Sequence, residues 1–167
     1  MTTLPLVIRH EHAGDAEAIE RLHARAFGPG RFARTAYRLR EGTAPVAELC
    51  FTALVATYLV GSVRVGPAEA GDPLLVLGPL TVDPSFEGRG IGAALMTACL
   101  DAATAAGHGL VVLIGDAPYY RRFGFSPIPP GRLVPPSPVD PARFLWRELR
   151  PGAAATISGN VTALRRR

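Results

Sequence analysis

The sequence predicts an α/β fold, a mixed central β-sheet with helices on both faces. Two observations predict it. Segments rich in β-formers alternate with segments whose apolar residues recur at helical spacing. In addition, a strand-like run from Leu74 to Val82, a helical pattern from Gly90 to Ala106 and an unbroken apolar run from Leu110 to Ile114 follow one another. That order is a crossover joining two parallel strands, the second covered on both faces. With 167 residues, 48% hydrophobic and 19% charged, the chain is sized for a single domain, 1–167, with a substantial core.

The elements follow in order. Leu6-Val7-Ile8-Arg9 reads as a first strand, and Gly14-Asp15 as a turn and N-cap. Ile19, Leu22, Ala26 and Phe27 share one face of a helix from Asp15 to Phe27, stopped by Gly28-Pro29-Gly30. Arg31 to Glu41 reads as a second, arginine-rich helix, either a solvated face or the lining of a substrate entrance. Val46 to Ala56 and Tyr58 to Val65 read as a hairpin, although Ala56-Thr57 lacks the preferred Asn-Gly chemistry. Gly66 to Pro73 reads as a loop. In the strand Leu74 to Val82, Pro79 cannot donate to a ladder. Gly78-Pro79 therefore predicts a bulge or a strand edge, which frees backbone groups for a ligand.

Ile91, Ala94, Leu95, Ala98 and Ala102 form one face of the main helix, which Gly107 ends. Ala117 to Arg122 allows little more than one helical turn, and Phe123-Gly124-Phe125 leads into a short strand. Gly131 to Pro141 is irregular, Phe144 to Leu149 is a last strand, and the tail from Pro151 is a loop with a short strand near Val161.

Composition excludes several function classes. The net charge is +4 and every basic residue is arginine, so Schiff-base and P-loop lysine chemistry are ruled out. No basic stripe with interleaved aromatics appears, so no nucleic-acid partner is expected; Arg165-Arg166-Arg167 reads as a solvated tail. No apolar run approaches the ~18 residues a membrane helix needs, and the N-terminus lacks a signal-peptide pattern. A soluble cytoplasmic protein without a membrane partner is the expectation. Cys50 and Cys99 lack metal spacing and read as buried free thiols, and no metal is expected. His10, His12, His23 and His108 all read as surface residues.

The stretch from Leu77 to Ala106 carries the chemistry. Gly88, Gly90 and Gly92 form a glycine-rich turn that opens directly into a helix. Unpaired N–H groups at the positive end of a helix dipole suit a phosphate. Gly88-Arg89-Gly90-Ile91-Gly92-Ala93 matches the dinucleotide pattern G-x-G-x-x-A. However, Asp83 to Glu87 separate it from its strand, and Asp116 comes late for the ribose-binding acid.

Leu80-x-Val82-x-Pro84-x-x-x-Gly88-Arg89-Gly90-Ile91-Gly92 resembles the acetyl-CoA motif of the GNAT superfamily of N-acetyltransferases, usually Q/R-x-x-G-x-G/A. Downstream, Tyr119-Tyr120-Arg121-Arg122-Phe123-Gly124-Phe125 resembles the second family signature, Y-x-x-F-G-F. Further likeness at Ile8-Arg9, Asp15, Ala26-Phe27, Leu39-Arg40, Gly61-Ser62 and Leu149-x-Pro151-Gly152 extends over nearly the whole chain. These resemble a small, single-domain bacterial branch of N-acetyltransferases. One position departs from the motif: Glu87 stands where glutamine or arginine is usual, and a carboxylate aimed at a pyrophosphate is repelled.

The resemblance implies acetyl-CoA as co-substrate and a primary amine as acceptor, joined by direct attack in a ternary complex. It implies that the backbone of Leu80, Thr81 and Val82 lies along the pantetheine arm, with an N–H of Leu80 or a neighbour donating to the thioester oxygen. It places the phosphates on Gly88, Arg89, Gly90, Ile91, Gly92 and Ala93, and makes Tyr120 the general acid for the departing thiolate. Read as residues alone, Tyr119 and Tyr120 serve equally as packing aromatics. The base is open between Glu48, Asp83 and a water relay. The acceptor groove is expected along Gly30 to Glu41 and Gly131 to Pro141. A non-catalytic acetyl-CoA or CoA sensor of the same fold is the alternative, and monomer and homodimer both fit.

Overall fold

The computed structural model describes residues 5–28 and 43–164. The arginine-rich helix read from Arg31 to Glu41 lies outside the described residues. Strands β1 (Leu6–His10), β2 (Phe51–Val55), β3 (Tyr58–Ala70) and β4 (Asp72–Val82) are successively antiparallel. β5 (Leu110–Ile114) joins β4 in parallel, as the crossover predicts. With β6 (Ser126–Pro127) and β8 (Phe144–Glu148) the sheet order is β1-β2-β3-β4-β5-β8-β6, and β10 (Thr162–Ala163) lies beside β3. β7 (Leu133–Val134) and β9 (Gly159–Asn160) form a separate parallel pair, in segments read as irregular or loop.

Helix α1 (Ala16–Phe27) lies against β3 and β4, burying Ile19 and Leu22. The long helix α2 (Ile91–Ala105) packs across β1 to β4 with Ile91, Leu95, Met96 and Cys99 in the core. It approaches β3 so closely that a Cβ on Gly61 would stand 2.9 Å from Leu95. The pleat carrying Ala53, Gly61 and Val63 thus faces α2, which leaves the pleat carrying Ser62 to α1. A short helix α3 (Ala117–Tyr120) follows β5.

Several expectations need correction. Gly66 to Pro73 is not a loop: β3 runs to Ala70 and β4 starts at Asp72, joined at Gly71 with φ 79°. The prolines are tolerated because each turns its missing N–H away from the β3–β4 ladder. The outward edge of β3 at this point is marked by Val65 and Pro67, whose carbonyls accept from Val46 and Leu164. The first hairpin strand is shorter than Val46 to Ala56, because a 3-10 turn occupies Ala47–Leu49. The hairpin itself forms, with Ala56 at φ 54° in the turn.

Asp15 does not cap α1 with its side chain. Its carboxylate accepts from Arg9 at 2.7 and 3.0 Å and from the His12 N–H at 2.7 Å, which ties β1 to the helix start. The Arg9 guanidinium holds that carboxyl below its ordinary value. His23 is buried rather than exposed. It follows Ile19 by four positions, so helical spacing puts it on the apolar face. Cys50 and Cys99 are buried free thiols, as read, and burial pushes them up to about 11 and about 12.

Candidate active site

The site forms where β4 leaves β5. The two strands pair only at Leu75–Val111 and Val76–Val112. Beyond that point, Gly78 and Pro79 stand opposite the single residue Arg64, since Leu77 pairs with Val65 and Leu80 with Val63. This is the bulge that Gly78-Pro79 predicts, and a bulge bends its strand. β4 then continues to Val82 paired with β3 alone. The Asp83 N–H donates to the Val60 carbonyl at 2.8 Å. Alternate residues of a strand show the same edge, so Thr81 also faces β3. Leu80 and Val82 turn their N–H and C=O groups toward the opening.

Thr81 is therefore different from its neighbours. Its main-chain edge is spent on β3, and its side chain is buried beside its cross-strand partner Ser62. Both hydroxyls lack a hydrogen-bond partner among the described residues.

The glycine turn stands at the end of this edge. Asp83 accepts from Ser85 N–H at 2.9 Å and starts a 3-10 turn over Pro84–Phe86, which the glycines follow. Gly88 and Gly90 take φ 75° and 78°, a region costly for side-chain-bearing residues, and the space a Cβ would enter is open at both. The first backbone bond into α2 runs from Ala94 N–H to Gly90 O at 3.0 Å. The N–H groups of Ile91, Gly92 and Ala93 have no backbone acceptor among the described residues. This cradle fits a phosphate by both space and unpaired donors. Glu87 is exposed, and Arg89 lies over the Phe86 ring at 5.0 Å.

The two tyrosines come from the opposite wall. Tyr120 is packed on Gly115, where a Cβ would stand 2.4 Å from its ring, and edge-to-face on Tyr119 and Phe125 at 4.9 and 6.1 Å. Burial pushes its phenol up to about 12. Tyr119 reaches the turn: its hydroxyl lies 2.7 Å from where a Gly92 Cβ would be. Sequence reasoning treated the two as a pair and missed this division. The signal available was the short helix, on which consecutive residues point in different directions.

Of the two acidic candidates for a base, only Asp83 is engaged elsewhere among the described residues. Asp83 caps the 3-10 turn and pairs with Arg25 at 3.2 Å, while Glu48 sits exposed on the 3-10 turn before β2.

The chain matches the model of the acetyltransferase (GNAT) domain over residues 47–127. It is 33% identical to the uncharacterized N-acetyltransferase YhbS of Escherichia coli (strain K12) over 128 residues, 72% of this chain and 74% of the relative. The chain belongs to the GNAT N-acetyltransferase family. Another relative within the family, YjhQ of the same organism, is 31% identical over 118 residues, 68% of this chain and 65% of that protein. Among solved structures, the GNAT protein YhbS of E. coli in complex with CoA superposes with a TM-score of 0.82 at 28% identity, covering 98% of this chain and 92% of that one. A GNAT acetyltransferase of Brucella melitensis in complex with acetyl-CoA gives 0.73 at 26% identity, covering 97% of each chain. The mixed sheet with its helices is the fold of these enzymes, as the sequence led us to expect.

Proposed function

We propose that this protein transfers the acetyl group of acetyl-CoA to a primary amine, with the opening between β4 and β5 as the site of transfer. One observation carries the reading: past Val76, β4 leaves β5 and presents the backbone of Leu80 and Val82 to an open cleft that ends at a phosphate cradle. The solved relatives that hold CoA and acetyl-CoA support it.

Bound acetyl-CoA supplies an activated acetyl thioester. The backbone edge of Leu80 and Val82 holds the pantetheine arm as an added strand would be held, with Thr81 keeping that edge in register through its own pairing with β3. The phosphates rest on Gly88, Arg89, Gly90, Ile91, Gly92 and Ala93. The Leu80 N–H, already fixed by the sheet, donates to the carbonyl oxygen as negative charge develops there, at no cost in reorganisation.

Tyr120 donates a hydrogen bond to the leaving sulfur. Burial pushes this phenol up to about 12 and pushes a thiol in the same surroundings up as well, so the hydroxyl keeps its proton until charge develops on sulfur. Its hydrogen bond stabilises the sulfur at that moment. The proton that ends on sulfur then comes from the amine nitrogen: one N–H and the C–S bond break, and one C–N and one S–H bond form.

A sensor that binds acetyl-CoA or CoA without turnover is the second reading. Its support is the packing of the half-buried Tyr120 ring on Gly115, Tyr119 and Phe125, which a purely structural aromatic would also show. The test is thiol release from acetyl-CoA with a panel of amines that includes peptide N-termini, polyamines and small metabolites. Turnover on any amine, lowered at least tenfold by Tyr120→Phe, supports the enzyme. Tight binding with no release on any amine supports the sensor.

A further inference from the structure

The glycine cradle carries no net positive charge of its own. Glu87 and Arg89 offset one another at the turn, and Arg89 lies over Phe86. A cation does stand on the facing wall. The Arg122 guanidinium lies over the Tyr119 ring, 4.8 Å from its centroid, and the hydroxyl of that ring abuts Gly92 at the mouth of the cradle. Tyr119 and Arg122 are three positions apart, so they meet on one face of the turn that α3 begins.

Stacking uses the face of the guanidinium and leaves its in-plane N–H donors free. Arg122 is exposed and makes no ion pair with the described residues. Its neighbour Arg147 is already held, donating to the Phe123 carbonyl at 2.8 Å. Arg122 also borders a cavity of about 330 Å³ between α2 and the segment after α3, beside Thr97, Asp101 and Phe123. Asp101, the acidic group there, lies nine residues along α2 from Gly92, roughly 13 Å at the helical rise.

A ligand with its pyrophosphate on the cradle has one more charged group, the phosphate on the adjoining ribose. We propose that Arg122, braced on Tyr119, is the counter-ion for the 3′-phosphate of CoA, and that it supplies from the facing wall the positive charge that Glu87 cancels at the turn. This rests on the acetyl-CoA reading above. A guanidinium matches a phosphate with two parallel donors, and a charge-assisted pair of this kind changes affinity about tenfold or more.

The test is calorimetric binding of CoA and of 3′-dephospho-CoA to the wild-type protein, Arg122→Gln and Arg122→Lys. The wild type is expected to hold CoA about tenfold more tightly than 3′-dephospho-CoA. Arg122→Gln should lose that difference, binding CoA about tenfold more weakly and 3′-dephospho-CoA unchanged; Arg122→Lys should recover part of it. Because Arg122 is exposed, the thermal midpoint of all three should agree. Equal affinity of the wild type for the two ligands overturns the proposal, as does an Arg122→Gln variant that weakens both equally. A wild type that binds neither ligand fails at the earlier step and removes the acetyl-CoA reading itself.

Discussion

The two halves of β4 share one strand and serve opposite ends. Around Leu75 and Val76 the strand is paired on both sides, with β3 and with β5, and is buried. Around Leu80 and Val82 it is paired on one side only. The change happens at the Gly78-Pro79 bulge, within the length of a single strand. An exposed edge is a liability in most sheets, because unpaired N–H and C=O groups invite any other chain. Here the liability is confined to a few half-buried residues, and the well-paired half supplies the rigidity. The edge proposed to hold the ligand is thus as precise as the sheet that carries it, which a loop of the same length would not be.

Two adjacent prolines probe that difference most severely. Thr81→Pro removes an N–H that faces β3, and leaves a ladder carbonyl without its donor. It should cost at least about 1–3 kcal/mol of stability, read from urea unfolding. Leu80→Pro removes an N–H that faces the cleft, so stability should change little beyond that of a Leu80→Ala control. Its kcat should fall ~10²–10³-fold, the loss typical of one oxyanion donor. If Leu80→Pro unfolds the protein and Thr81→Pro is tolerated, the edges have been assigned the wrong way round.

Tyr120 sets the next scale, from the wall that faces the open half. Tyr120→Phe should lower kcat at least tenfold with little change in the acetyl-CoA KM, since the hydroxyl acts only as charge develops on sulfur. Burial raises the phenol to about 12, so it stays protonated throughout the usable alkaline range. No falling limb of kcat due to this residue should appear up to roughly pH 10. A limb between pH 8 and 9 that disappears in Tyr120→Phe would show a phenol far more acidic than its half-buried, apolar surroundings support.

The legibility of this molecule follows the same division. The crossover of strand, glycine turn, helix and apolar strand could be read because each element has its own chemistry: Pro79 in a strand, glycines before a helix, an unbroken Leu110–Ile114 run. The paired half of β3 and β4 was harder, because Gly66, Pro67, Gly71 and Pro73 are turn-formers by composition. Only the sheet reveals that Pro67 and Pro73 spend their missing donors on the outer edges. The cleft itself is not a local property. Sequence spacing brought Tyr120 forward through a family signature, whereas the reach of Tyr119 to Gly92 depends on how α3 sits across from α2.

The smallest expected effect belongs to Glu87, the residue that departs from the family motif. It is exposed beside the cradle, so its charge acts through solvent. A charge at a helix N-terminus is worth about 0.3–1 kcal/mol when exposed. Glu87→Gln should therefore lower the acetyl-CoA KM only about two- to fivefold, and the gain should shrink at high salt, with kcat unchanged. The same substitution should leave urea unfolding unaltered, since Glu87 pairs with no described cation. A KM that does not move would mean the cradle holds its phosphates through N–H groups oriented so firmly that a neighbouring carboxylate is not felt. In that case the backbone geometry of the open half, rather than the charge around it, sets the affinity of the turn.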